Sequence, residues 1–188
     1  MSLPLKPEII VFAGPNGSGK STIAKMIKII EPYVNADEIK KFNQCSDLEA
    51  AEQADRMREN LLSENRSFTF ETVMSTDRNL KLLTKAKDKG YFIRTIYVLT
   101  SNPQINISRI DMRASRGDHN VPEDKVISRY NRALTLIPDL VEISDICHIY
   151  DNSDVPFRIF KKRKDQYFYW ENQFWDKVKI EALTGHLF

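Results

Sequence analysis

The residues best suited to chemistry lie near the start of the chain, Gly14-Pro15-Asn16-Gly17-Ser18-Gly19-Lys20-Ser21, directly after the apolar run Ile9-Ile10-Val11-Phe12-Ala13. Their spacing matches the pattern G-x-x-x-x-G-K-[ST] in full. Glycines let a loop curl tightly enough to aim successive backbone N–H groups at one point, and with a following helix N-terminus they form a concave anion site. A nucleotide polyphosphate such as that of ATP fits such a site, with Pro15, Asn16, Ser18 and Thr22 completing its walls. Lys20 adds a mobile positive charge that can reach β- and γ-phosphates, and the Ser21 hydroxyl can ligate the Mg2+ that travels with them. Ile23, Met26, Ile27 and Ile30 recur at helical steps, so the loop is expected to open a helix with one apolar face.

Further polar residues fit the same chemistry. Tyr33 to Asp37 reads as a second strand ending at Asp37, and in open α/β sheets ligands gather beyond the carboxyl ends of strands. An aspartate at such a junction can equally cap the next helix. Phe68 to Val73 reads as a third strand interrupted by Glu71; a carboxylate near the end of a buried strand needs a partner, which leaves a site role and a structural ion pair open. Arg109, Arg113 and Arg116 share one face of a helix that starts at Asn102-Pro103, and Lys125, Arg129 and Arg132 share one face of a helix that starts at Pro122. Either stripe alone reads as a solvated face. Together, flanking Gly117-Asp118-His119-Asn120, they read as a phosphate-clamping lid over about residues 109–132. His119 by itself carries little weight.

Positioning these groups takes an α/β architecture. Amphipathic stretches at 48–65, with Ala50, Ala54, Met57 and Leu61 inward, and at 78–90, capped by Ser75-Thr76-Asp77 and closed by Gly90, alternate with β-forming runs at 91–100 and 146–151. The expected fold is a P-loop NTPase domain with a mostly parallel five-stranded sheet flanked by helices, a helical lid, and a C-terminal β-hairpin plus helix. The hairpin is read from Pro156–Phe160 and Gln166–Trp170 around a solvated tip, Lys161 to Asp165, with a helix from Phe174 to Leu183 after it; charge and stacking on nucleic acid is the other reading of that basic and aromatic stretch. His148 reads as a packed residue rather than a ligand.

Composition sets outer bounds. A chain of 188 residues with 41% hydrophobic content suits a single domain spanning 1–188, and a net charge of +2 makes nucleic acid or an anionic membrane an unexpected partner unless a basic surface is local. Cys45 and Cys147 share no metal-ligand spacing and read as thiols of a reducing compartment. No apolar stretch approaches the ~18 residues of a membrane span, so a soluble, cytoplasmic protein is expected.

The ordered motifs Ala13 to Thr22, Asn35-Ala36-Asp37-Glu38-Ile39, Phe70-Glu71-Thr72-Val73-Met74-Ser75, Arg113 to Pro122, Arg129-Tyr130 and Asp151-Asn152-Ser153 resemble the zeta-toxin-like kinases. The resemblance spans about residues 8–155 and is nearest the branch described as predicted ABC-type ATPases. It implies ATP- and Mg2+-dependent phosphorylation of a sugar hydroxyl, with UDP-N-acetylglucosamine the zeta-toxin substrate. On that resemblance Asp37 is the base that accepts the hydroxyl proton. Glu71, Thr72, Arg132 and His119 contact the acceptor, two arginines of the 113–132 region, with Arg113, Arg116 and Arg129 as the candidates, clamp phosphates, and Asn152 lies at the nucleotide. An antitoxin partner is a family property that the sequence leaves undetermined. The chain departs from the branch at Gly117-Asp118-His119, where many members have Gly-Gly-His. A polynucleotide kinase, an ABC-like ATPase and a nucleotide-responsive binding protein remain competitors, although the chain lacks a Ser-Gly-Gly signature helix and a strand ending Asp-Glu. Asp37, Glu71 and Asp151 are each candidates for water-linked magnesium binding. Since no other residue of the loop carries a cation, Lys20→Ala is expected to abolish ATP turnover in a protein that still melts cooperatively, as followed by ADP release.

Overall fold

Alternation of β-branched apolar runs with amphipathic stretches favours strands joined by crossover helices. This is the arrangement of the computed structural model, which describes residues 6–115 and 121–188. Strands β1 (Glu8–Ala13), β2 (Tyr33–Val34), β3 (Phe68–Thr72), β4 (Phe92–Leu99), β5 (Ile146–Asp151), β6 (Phe157–Arg163) and β7 (Gln166–Tyr169) form one sheet in the order β2-β3-β1-β4-β5-β6-β7. The first five strands are mutually parallel, and β6 and β7 run antiparallel to their neighbours. The expected five-stranded parallel sheet is therefore present, but the hairpin extends it to seven strands because β6 bonds along the free edge of β5.

The helices are α1 (Lys20–Ala24), α2 (Ala36–Asn43), α3 (Asp47–Ser63), α4 (Arg78–Asp88), α5 (Pro103–Ala114), α6 (Glu123–Thr135), α7 (Ile137–Ile143) and α8 (Lys177–Thr184). Successive strand residues point to opposite faces of a sheet, so β1 feeds two cores. Ile9 and Val11 join Phe68, Phe70, Ile93 and Ile149 beneath Leu61, Leu83, Leu140 and Ile180 of the helices. Ile10 and Phe12 join Ile96, Val98 and Ile23 in a smaller cluster on the other face.

Several local expectations change. The helix after the loop stops at Ala24, and Met26 is exposed. The β-branched run that follows favours extended chain, and the Thr69 hydroxyl both accepts from Ile30 N (2.9 Å) and donates to Ile30 O (2.7 Å). The second strand ends at Val34 rather than Asp37, because the Asn35 side chain accepts from Asp37 N (2.9 Å) and starts α2; Asp37 lies in that helix's first turn. Met57 faces solvent, and Arg58 is buried in its stead with its guanidinium on Asp55 and over the Phe70 ring. Asp77 makes no capping bond and pairs with Lys81 at 2.7 Å. The capping box of α3 belongs to Ser46 and Glu49.

The hairpin tip is only Lys164-Asp165, so Lys161 to Arg163 are strand residues. Lys162 is buried, its Nζ donating to Val141 O and Glu142 O, both at 2.8 Å. It places a cation on the otherwise unpaired carbonyls near the C-terminal end of α7. The last helix starts at Lys177, capped by Asp176 on Lys179 N (2.8 Å), not at Phe174. No helix among the described residues is long and apolar enough to cross a membrane.

His148 of β5 lies opposite Lys161 of β6, beside Ile96 of β4. Burial, then the charges of Arg158, Lys161 and Arg94, push its pKa down to about 4. The unfolded chain takes up a proton near the ordinary value of 6.5 that the folded chain refuses until about 4, so stability should fall as pH drops through that window. His148→Gln removes the proton site and is expected to flatten this part of the profile, measured by urea unfolding at pH 6.5 and 4.5.

Candidate functional site

The loop between β1 and α1 is held from three sides. Gly14 N donates to Thr72 O at the end of β3 (3.2 Å), Asn106 Nδ2 of α5 donates to Asn16 O (2.6 Å), and Asn152 Nδ2, just past β5, donates to Ser18 O (2.8 Å). Two glycines are required by these contacts. A Cβ on Gly17 (φ 77°) would sit 2.5 Å from Asn106 O, and one on Gly19 (φ 93°) would sit 2.2 Å from Asn152 Nδ2. Asn152 was expected at the nucleotide and supports the loop from beneath. Asn106 was not expected; its only sequence signal is an amide on the inward face of an amphipathic helix, where burial demands a partner. Its Oδ1 accepts the Thr100 hydroxyl.

Lys20 is 7% exposed. Its Nζ donates to Gly14 O (2.8 Å) and Pro15 O (3.1 Å), and Glu71 Oε1 lies 3.7 Å away. Burial lowers the Lys20 pKa; Glu71 and then Asp37 oppose that shift, while Arg113 adds to it. The site thus gathers Lys20, Glu71, Asp37 and Arg113 within electrostatic reach of one another. Glu71 Oε2 accepts from Tyr33 Oη (2.8 Å) and Asn35 Nδ2 (3.2 Å), and burial together with this carboxylate raises the Tyr33 pKa. The two readings of Glu71 merge, since its ion pair is with the loop lysine itself. Nothing in their spacing marks Tyr33 and Asn35 as members of the site, since the first is a residue of β2 and the second the N-cap of α2.

The remaining candidates divide. Ser21 and Thr22 are exposed in the first turn of α1. The Thr72 hydroxyl accepts from Met74 N (3.0 Å) and Asn79 Nδ2 (2.8 Å), which fixes the turn after β3 and engages the oxygen expected to touch an acceptor. Arg109 Nη2 donates to Ser153 O (3.2 Å), and exposed Arg113 bonds, among the described residues, only Arg109 O of its own helix (3.4 Å). α5 and α6 pack through Ile107, Ile110 and Val126. Tyr130 Oη, its pKa raised by burial to about 12, donates to Thr100 O (2.5 Å) and anchors α6 to the end of β4. Arg129 and Arg132 sit beside that anchor with no ion pair among the described residues. Arg116 and His119 lie outside the described residues.

The donor set suits a polyphosphate: the loop's backbone is curled by left-handed glycines, and the fully buried Ser18 Oγ has no protein partner. For a metal ion the protein offers less. No group of three or more His, Cys, Asp or Glu that could hold one occurs among the described residues. Asp151 is not available: its Oδ1 accepts from Ser153 N (3.1 Å) and Ser153 Oγ (2.5 Å), and its Oδ2 from Asn172 Nδ2 (2.8 Å). Ser21 and Asp37 remain exposed, in the first turns of α1 and α2, which fits Mg2+ held mainly by phosphates and water.

No family model matches the chain. It is 26% identical over 132 residues to an uncharacterized protein of Haemophilus influenzae, covering 67% of this chain and 94% of that one. Among solved structures it is similar to one from the PezAT chromosomal toxin–antitoxin system of Streptococcus pneumoniae (TM-score 0.59, 18% identity, 85% of this chain and 73% of that chain). It is also similar to one of AvrRxo1-ORF1:AvrRxo1-ORF2 with ATP (TM-score 0.66, 14% identity, 88% of this chain), of which it spans 61%. The chain has the P-loop NTPase fold, and the likeness to zeta-toxin-like kinases holds at the level of that fold.

Asn152 is 7% exposed and satisfies Ser18 O from below. Asn152→Ala leaves that carbonyl unpartnered and is expected to lower unfolding free energy by about 1–3 kcal/mol, read from urea titration, with nucleotide affinity falling alongside.

Proposed function

We propose that this protein is an ATP-dependent kinase that moves the γ-phosphoryl group to a hydroxyl of a small molecule, with a nucleotide sugar such as UDP-N-acetylglucosamine as the acceptor class. The observation that carries the reading is the pair of unlike carboxylates at Lys20. Glu71 is half-buried and fully engaged by Lys20, Tyr33 and Asn35, whereas Asp37 is exposed in the first turn of α2 yet close enough to act on the Lys20 charge. The first suits positioning and the second suits proton transfer.

Phosphoryl transfer depends mainly on orientation and charge neutralisation. In this reading the backbone of Gly14 to Thr22 holds the phosphates, and Lys20 leaves the Gly14 and Pro15 carbonyls to neutralise developing charge. Arg113 and Arg129, with Arg116, close on the γ-phosphate from the 109–132 segment, which acts as a lid in a single domain. Ser21 would hold Mg2+, which supplies further neutralisation when bound. Asp37 takes the acceptor's proton, and Glu71, Arg132 and His119 orient the acceptor. Thr72 contributes by shaping the turn after β3, since its hydroxyl is already engaged. The ATP complex of a similar fold supports the choice of nucleotide. The two-protein systems from which the similar structures come support a search for a protein partner. A cytoplasmic location follows from the substrates.

The decisive experiment follows ADP release and product phosphorylation across an acceptor panel that includes UDP-sugars. Asp37→Asn keeps the side chain's size but removes its basic oxygen. It is expected to lower kcat by about 10²–10⁴-fold with ATP affinity within a few-fold of the parent. Transfer at the parental rate would overturn the base assignment. ADP release that no acceptor stimulates would favour plain hydrolysis.

A further inference from the structure

One face of the hairpin strands is covered by the C-terminal residues, with His186 3.8 Å from the Tyr167 ring and Phe188 4.6 Å from that of Tyr169 and 6.0 Å from that of Phe160, and by α7 through the Lys162 contacts. The opposite face is open and carries aromatic rings interleaved with cations. Arg158 lies 4.5 Å over the Trp170 ring and Lys161 5.7 Å over the Phe168 ring, and Phe168 and Trp170 are stacked with centroids 6.5 Å apart at 21°. His148 and Tyr150 continue the row on β5, 6.3 Å apart. Phe168 and Trp170 are 43% and 37% exposed, far more than rings of that size need be if they served only the core.

Arg158 and Lys161 make no ion pair among the described residues, and Arg158 Nε is buried without a hydrogen-bond partner. The nearby cation that is neutralised, Arg94, is paired with Glu8 at 2.8 Å. Burial is the main cause of the depressed pKa of His148, and the charges of Arg158, Lys161 and Arg94 add to it, in a chain of net charge only +2.

We infer that this face binds single-stranded nucleic acid, with bases stacked on Phe168 and Trp170 and phosphates held by Arg158 and Lys161. Planar rings and cations without ion-pair partners alternating on one sheet face suit an anion whose charges alternate with planar groups. A second copy of the face would bring like charges together. An acidic peptide would satisfy the cations but offer no planar group to the exposed surfaces of Phe168 and Trp170. This inference is independent of the kinase reading, since none of these residues belongs to the phosphate loop or its supports.

The test uses the full chain and fluorescein-labelled 20-nucleotide single strands of DNA and RNA, followed by anisotropy at 50 and 200 mM salt. Binding is expected with a slope of log K against log salt near −1.4, from two phosphate contacts at about −0.7 each. Trp170→Ala should weaken it by about 5–150-fold, as expected for loss of one stacked base. Arg158→Gln with Lys161→Gln should bring the slope towards zero, and Lys20→Ala should leave binding unchanged. Should Trp170→Ala melt early, Phe168→Leu provides the same readout with a smaller loss of packing. Absence of binding at low salt would overturn the inference. So would binding that Lys20→Ala abolishes and Trp170→Ala spares. A 20-residue Asp/Glu peptide that binds as well as the oligonucleotide, with the same sensitivity to these substitutions, would overturn it in favour of an acidic protein partner.

Discussion

A lysine ammonium buried in the interior is expensive, and much of this molecule is arranged around keeping the charge of Lys20 tolerable. Two loop carbonyls solvate it, Glu71 stands 3.7 Å away, and Asp37 adds a more distant negative charge. Each of these has its own support. Glu71 can be brought to the lysine because β3 lies between β1 and β2, so that the residue paired with Phe12 projects beside the loop. Asp37 reaches the same region because β2 is only a two-residue strand and α2 starts immediately after it. The strand order is thus tied to the electrostatics of one side chain. The same buried cation makes the site responsive, since an incoming phosphate offers Lys20 a better partner than backbone carbonyls do.

The loop and its lysine were legible from the sequence because a loop that curls its backbone N–H groups around an anion requires particular residue types at fixed spacing. Strands β1, β4 and β5 were legible because strands buried in a parallel sheet read as continuous apolar runs. What could not be read was whatever depends on which atoms meet across long separations. Asn106 and Asn152 support the loop from positions 90 and 134 residues away in sequence, and only Asn152 was marked, through a family motif. Tyr33 and Asn35 were hidden because local explanations were sufficient for both. Helix α1 was overextended because the spacing of Ile23, Met26, Ile27 and Ile30 is helical, while the bond that ends the pattern comes from Thr69.

The hairpin shows the opposite failure, in which a local rule misjudged a charge cluster. Four consecutive basic residues ordinarily mark a solvated tip, yet three of them belong to β6 and alternate between its faces, so that Lys162 enters the interior while Lys161 stays on the other face. Lys162 then joins the hairpin to α7 by two carbonyl contacts. Asn172, which follows β7, ties the chain back to Asp151 beside the loop support Asn152. The C-terminal segment is consequently part of the frame on which the glycine-rich loop rests.

Asn35 joins two functions in a single amide. Its oxygen caps α2, the helix that carries Asp37, and its nitrogen donates to Glu71, the partner of Lys20. Among the residues that cap helices well, aspartate lacks a donor and would set a second carboxylate against Glu71, while serine and threonine have one short oxygen for both tasks. An amide separates the two tasks onto two atoms. Position 35 therefore acts as a rigid strut between the two carboxylates, fixing how far the helix that bears one can tilt from the strand that bears the other, and its tolerance for substitution should be narrower than its modest exposure suggests.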